Sequence, residues 1–218
     1  MKYYIIFLSV ILISLLALAQ KNSMGLFEKN TDIGHPKNSG SSRFDKATNT
    51  YYLKGSGYNI WFNRDEFQYL YKKIKGDFML TAQFRFIGDT SNANAHRKIG
   101  WMVRASTAED AIHASAVAHG DGLTVMQWRN QKGMNMRDPE DEIFFPKKNF
   151  EIIQVQRINK KITMRVANEG EALQDVGSYT MESMPDKVLA GLFICSHDSN
   201  SIVEAKVWNV QITKPSSK

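Results

Sequence analysis

The chain has 218 residues, 43% of them hydrophobic, which is enough for one well-filled core, and no repeat or Pro/Gly/Ser-rich linker divides it. Its 28 Lys and Arg against 22 Asp and Glu give a net charge of +6. These charges are scattered, with Lys72-Lys73 and Lys160-Lys161 the tightest basic pairs, so a nucleic-acid-binding tail is not expected. Cys195 is the only cysteine, which excludes an internal disulfide; its neighbours Leu192, Phe193 and Ile194 mark it as a small core residue rather than a nucleophile or metal ligand.

In chain order, Lys2, the apolar run Tyr3 to Leu16 and the small residues of Ala17-Leu18-Ala19 predict a signal peptide over 1–19, cut before Gln20. A retained membrane anchor is the competing reading. No cysteine follows the run to carry a lipid and no later segment is apolar enough to span. The expectation is therefore a secreted or periplasmic domain over 20–218, free of the membrane once the leader is removed.

From Tyr51 onward the apolar period is two. Between Gly76 and Phe86 the residues Phe78, Leu80, Ala82, Phe84 and Phe86 alternate with Thr81, Gln83 and Arg85, which predicts a strand. In Lys98 to Arg104, Ile99, Trp101 and Val103 take one face while Lys98, Gly100, Met102 and Arg104 take the other. Further strands are expected at Tyr58–Phe62, Phe67–Ile74, Ile112–His119, Leu123–Arg129, Glu151–Ile158, Lys161–Ala167, Ser178–Glu182, Val188–His197 and Ile202–Ile212. Asn159-Lys160 suits a two-residue hairpin with Asn in the left-handed region. Thr107 to His113 carries a helix cap and alanines, but the alternation beyond Ile112 favours a short turn followed by a strand. Many short strands with turn residues between them predict an all-β sandwich or barrel.

The order Asp32-Ile33-Gly34, Gly40-Ser41, Gly57 with Ile60-Trp61, Asp65 with Phe67, Gly76-Asp77-Phe78, then Lys98, Gly100, Met102 and Arg104 after His96, and Gln127 with Arg129 resembles the concanavalin A-like family known as domain of unknown function 1349 (DUF1349). The resemblance continues through Gly191-Leu192-Phe193 and Ala205 to Ile212. It implies a jelly-roll β-sandwich of two curved antiparallel sheets, an architecture that carries lectins, hydrolases and structural modules alike. The stretch Asn168 to Leu173 departs from the Asp-Gly turn and following Trp of relatives, so no ligand contact is carried over to it.

If one sheet of such a sandwich leaves a face free, polar and aromatic residues at every second position of neighbouring strands would line a groove. Lys98, Met102 and Arg104 on one strand, His113 and His119 on another, and Gln127 with Arg129 on a third fit, and Trp61 at a strand end could offer a flat platform to a sugar ring. Of these, Trp61, Lys98, Arg104, His113, Gln127 and Arg129 are the predicted binding residues for a carbohydrate or polysaccharide, with no catalytic residue, cofactor or metal assigned. The alternative is that the arginines pair with acidic neighbours and brace the sandwich. Hydrolase or lyase activity would need carboxylates about 5 Å apart in a retaining glycosidase. The densest acidic stretch, Asp138-Pro139-Glu140-Asp141-Glu142, reads as a loop instead of the alternating pattern of glycanases of this fold. His35, His96, His113, His119 and His197 are too scattered in sequence for a metal motif. Asp121, Asp198 and Asn200 lie in loops where structural calcium could bind, without a recognisable ligand spacing. A structural or protein-interaction role is the third reading.

Overall fold

A computed structural model of the protein describes residues 24–89 and 91–215; the leader expected over 1–19 lies outside them. Strands are numbered in chain order. Sheet A runs β1 (Lys29–Ile33), β6 (Phe67–Lys75), β15 (Lys187–Cys195), β8 (Lys98–Arg104), β9 (His113–His119), β10 (Thr124–Arg129) and β11 (Glu142–Phe145). Sheet B runs β14 (Gln174–Thr180), β13 (Lys161–Ala167), β12 (Ile152–Ile158), β7 (Phe78–Ile87), β16 (Asp198–Thr213), β3 (Thr50–Gly57) and β2 (Ser41–Asp45). A small hairpin, β4 (Ile60–Trp61) with β5 (Arg64–Asp65), stands apart from both. Neighbouring strands pair antiparallel throughout, and the described residues contain no helix.

Period-two patterning builds the layers. On β7, Phe78, Leu80, Ala82 and Phe84 are buried against Ile153 and Val155 of β12 and Ala205 and Val207 of β16. Sheet A answers with Ile99, Trp101, Val103, Ala116 and Ile194. Trp101 is fully buried between the layers, with its ring edge-on to Phe84 at 6.0 Å and its indole Nε1 donating to the Ile153 carbonyl at 3.2 Å. A residue of this size in this position is worth about 3–5 kcal/mol against truncation to alanine. The hairpin joining β12 to β13 closes as expected, with Ile158 opposite Lys161 and Asn159 at φ 54°. Thr107 to Asp110 forms bends and a turn, and the strand after it begins at His113.

Several elements depart from expectation. β1, β2, β3 and β11 carried no strand assignment, and the strand expected at Tyr58–Phe62 shrinks to Ile60–Trp61. β2 is an edge strand, Ser-Ser-Arg-Phe-Asp, with no buried residue, so it has no apolar alternation to read. β11 grows out of the acidic loop and was masked by it.

The face of sheet A turned away from sheet B decides where a ligand can enter. An open groove was expected there. Instead Ile33, Phe67, Tyr69, Met102, Val117, Val125, Phe193 and Cys195 form a second buried apolar cluster, joined by Ile60 of the β4–β5 hairpin. Every residue of β8 is consequently buried. The hairpin reaches this position through Gly57, at φ 139°, where a Cβ would lie 2.0 Å from the Glu66 carbonyl oxygen; only glycine permits that approach.

Candidate functional site

The β4–β5 hairpin separates two ends of this face. At the first, Asp65 points inward between Arg104 and Arg129, and all three side chains are fully buried. Arg129 donates from Nη1 to Asp65 Oδ2 at 2.8 Å and from Nη2 to Oδ1 at 2.7 Å, while Arg104 Nη1 reaches Oδ2 at 3.0 Å. The remaining donors of Arg129 go to the carbonyls of Met134, Ala111 and Phe62. Its five N–H groups are thus all committed. Arg104 likewise holds the Ser106 and Ala108 carbonyls. Burial alone would push the Asp65 carboxyl up, but His113, Arg104 and Arg129 together hold it below the ordinary carboxylate range. His113 Nε2 lies 3.9 Å from Asp65 Oδ1, neither ring nitrogen has a hydrogen-bond partner, and burial pushes the imidazole down to about 3.

Arg104, His113 and Arg129 were expected to line the ligand groove. All three are instead fully buried, and the bonds of the two arginines tie the hairpin and the loops after β8 and β10 to the sheet. A guanidinium bonded to a buried carboxylate and to backbone carbonyls, out of reach of solvent, has nothing to offer a sugar.

The other end is open. A cleft of about 230 Å³, open to solvent, is lined by Asn59, Trp61, His96, Lys98, His119, Leu123, Gln127, Asp138, Glu142, Phe144 and His197. Three of the predicted residues, Trp61, Lys98 and Gln127, come together here. Alternation carries Lys98, His119 and Gln127 onto this face of β8, β9 and β10, and Lys98 pairs directly with His119 in register. The Lys98 ammonium is buried and donates to Asn59 Oδ1 at 2.8 Å and His197 Nδ1 at 3.0 Å. Burial pushes it below the ordinary lysine range, partly opposed by Cys195 and Glu142. Burial likewise pushes His119 down to about 3 and His197 down to about 4, each reinforced by Lys98. The His96 ring sits 5.9 Å from that of His119 and 5.7 Å from that of His197. Across the cleft, Gln127 donates from Nε2 to Glu142 Oε2 at 3.1 Å, while its Oε1 is buried without a partner. Burial, with a contribution from Asp138, raises Glu142. Trp61 is half-buried and Phe144 is exposed.

Sequence reading missed the convergence of His96, His119 and His197, because they come from a loop, a strand end and a turn far apart in the chain. The pairing of Lys98 with His119 could have been read only from the register of β8 on β9. Asp138 and Glu142 reach the cleft from the acidic stretch, Glu142 as the first residue of β11. No group of three or more His, Cys, Asp or Glu among the described residues is arranged to hold a metal ion. Trp101 and Trp128 belong to the core, Trp128 stacked on Tyr179 at 4.2 Å.

No family model matches the chain, and no curated protein matches it by sequence. Solved structures do match. A functionally unknown protein from Saccharomyces cerevisiae superposes with a TM-score of 0.65 at 15% identity, covering 86% of this chain and 97% of that one. An alginate lyase, A1-II′, gives 0.54 at 7% identity over 80% of this chain and 83% of the lyase. The GH43 protein BlXynB from Bacillus licheniformis gives 0.54 at 10% identity over 80% of this chain, and the match covers 35% of that protein. At these identities the likeness is one of fold. The chain is an all-β, concanavalin A-like jelly-roll sandwich of two antiparallel sheets.

Proposed function

We propose that the protein is an exported, non-catalytic carbohydrate-binding domain over residues 20–218, of the DUF1349 kind suggested by its motif order, with its ligand in the cleft between Trp61 and Phe144. The observation that carries this reading is the Gln127 amide oxygen, buried in the cleft without a hydrogen-bond partner. An unmatched buried acceptor costs about 1–3 kcal/mol, and a sugar hydroxyl would satisfy it. Trp61 and Phe144 add apolar surface for the C–H face of a ring. The fold is shared with an alginate lyase and a GH43 protein, which fits a carbohydrate ligand in general.

A second reading, a glycoside hydrolase or polysaccharide lyase, is favoured by the raised Glu142 carboxyl beside Asp138 and opposite a neutral His119, the pairing of acid and base that such chemistry uses. Screening the chain on a glycan array, then incubating it with the glycans retained, separates the two. Retention without cleaved products is expected, with Trp61→Ala losing about tenfold or more in affinity, in line with loss of a stacking platform. Product release that Glu142→Gln abolishes would establish the enzyme instead. Absence of retention on every glycan would overturn both and leave a structural or protein-interaction role.

A further inference from the structure

We propose that the cleft receives an acidic sugar, whose carboxylate or sulfate ester is bound by the Lys98 ammonium against a wall of histidines; this rests on the carbohydrate reading of the same cleft. Lys98 is 4% exposed, and its two partners, Asn59 Oδ1 and His197 Nδ1, are both neutral acceptors. Among the described residues no carboxylate lies within ion-pair distance of it. An ammonium has three N–H donors, so one is left without a protein acceptor on a side chain that lines the cleft. Taking an ammonium out of water costs several kcal/mol unless an opposite charge or a full set of hydrogen bonds compensates.

The contrast with the other buried cations is specific. Arg104 and Arg129 share Asp65. Arg157, without a carboxylate in contact, spends its guanidinium on the carbonyls of Asn159, Asp186 and Pro185. Arg97 bonds the carbonyls of Ala93 and Asn94 and leaves its Nε without a partner, away from the cleft lining. Lys98 has neither a carboxylate nor a full set of carbonyls, and it lines the cleft.

The groups around it determine where an anion fits. Lys98, His96, His119 and His197 form one wall, with the neutral thiol of Cys195 opposite Lys98 on β15 and the carboxylate of Asp121 acting on His119. Glu142 and Asp138 lie on the opposite side, and Glu142 is already engaged by Gln127. An acidic substituent therefore belongs at the Lys98 wall, while Glu142 and Asp138 accept hydrogen bonds from hydroxyls of the same sugar. Because His197 accepts from Lys98 at Nδ1, its neutral ring carries its proton on Nε2, a further donor at that wall.

The test is calorimetric titration of the full chain with neutral, uronate and sulfated oligosaccharides of equal length, for the wild type, Lys98→Met and Lys98→Arg. Acidic oligosaccharides should bind about tenfold or more tightly than neutral ones, as expected when a charge-assisted bond replaces a neutral one. The uronate and sulfated arms identify which anion is the natural one. Lys98→Met should lose that preference, and Lys98→Arg should retain part of it. Equal affinity for neutral and acidic glycans, or an acidic preference that survives Lys98→Met, would overturn the proposal. If no glycan binds, titration of acetate and sulfate followed by the histidine ring resonances decides. Shifts in the wild type that are absent in Lys98→Met would keep the anion site while the carbohydrate reading falls. Unmoved resonances would remove both.

Discussion

Arg104 and His113 stand opposite each other at one end of β8 and β9, with Arg129 on β10 beside them; at the other end Lys98 stands opposite His119, and Gln127 on β10 lies between the two ends, in the row of Met102 and Ser115. Both ends pair a cation with a histidine on the same three strands, and both are buried. They differ in what the β4–β5 hairpin brings. To the arginines it delivers Asp65, a full carboxylate that makes two parallel bonds to Arg129; to Lys98 it delivers Asn59, a neutral amide. The first end is closed electrostatically and sterically, and the second keeps a cation and an amide oxygen unmatched beside a solvent-connected cleft. The closed end and the open end are thus built from the same strand chemistry, separated by one carboxylate.

The sharpest way to break this comparison is Asp65→Ala, which strands two buried guanidiniums. Breaking a buried pair by removing one partner costs about 3–5 kcal/mol, and for a domain of this size each kcal/mol moves the Tm by about 2–4 °C. Thermal unfolding followed by circular dichroism should show a fall on the order of 10 °C. A Tm within about 2 °C of the wild type would mean that Asp65 is not the keystone of the closed end.

A smaller effect is expected from pH. His113, His119 and His197 are held in the fold at about 3, 3 and 4, against about 6.5 in an unfolded chain. Between these values the unfolded state binds more protons, so stability is full above about pH 6.5 and is lost as the pH falls toward 4. Glu142 and Asp32, whose carboxyls are raised, oppose this in part. Asp65, held low, keeps its charge across the window. The Tm should therefore fall from pH 7 to pH 4.5, and His113→Leu should flatten the slope. A Tm that is constant or rises on acidification would contradict the neutral, buried state of these rings.

The smallest change in stability belongs to Lys98→Met. Methionine fills the same volume without an ammonium to desolvate, so the Tm should stay within about 3 °C of the wild type or rise, reflecting less than about 1 kcal/mol of loss. A fall comparable to that of Asp65→Ala would show Lys98 to be a brace like the arginines, and would erase the distinction between the two ends.

Much of the fold was legible because a sheet with a buried face writes itself in period two. The alternation of Phe78, Leu80, Ala82 and Phe84, the left-handed Asn159 and the burial of Trp101 and Cys195 all follow from it. β2 and β11 were not legible, since an edge strand without buried residues and a short strand leaving an acidic loop carry no such signal. At the candidate site, parity correctly placed Lys98, Arg104, His113, Gln127 and Arg129 on one face of sheet A. It could not say that Met102, Val117 and Val125 on that same face are roofed over by a hairpin.

Local sequence therefore determined which residues form strands and which side of a strand each occupies, because both depend on backbone sterics and apolar spacing within a few residues. Only the tertiary structure decided which cation receives Asp65 and which receives Asn59, and that His96, His119 and His197 meet around Lys98. Those juxtapositions depend on where a hairpin anchored by Gly57 comes to rest, and on strand neighbours far apart in the chain, which no local pattern encodes.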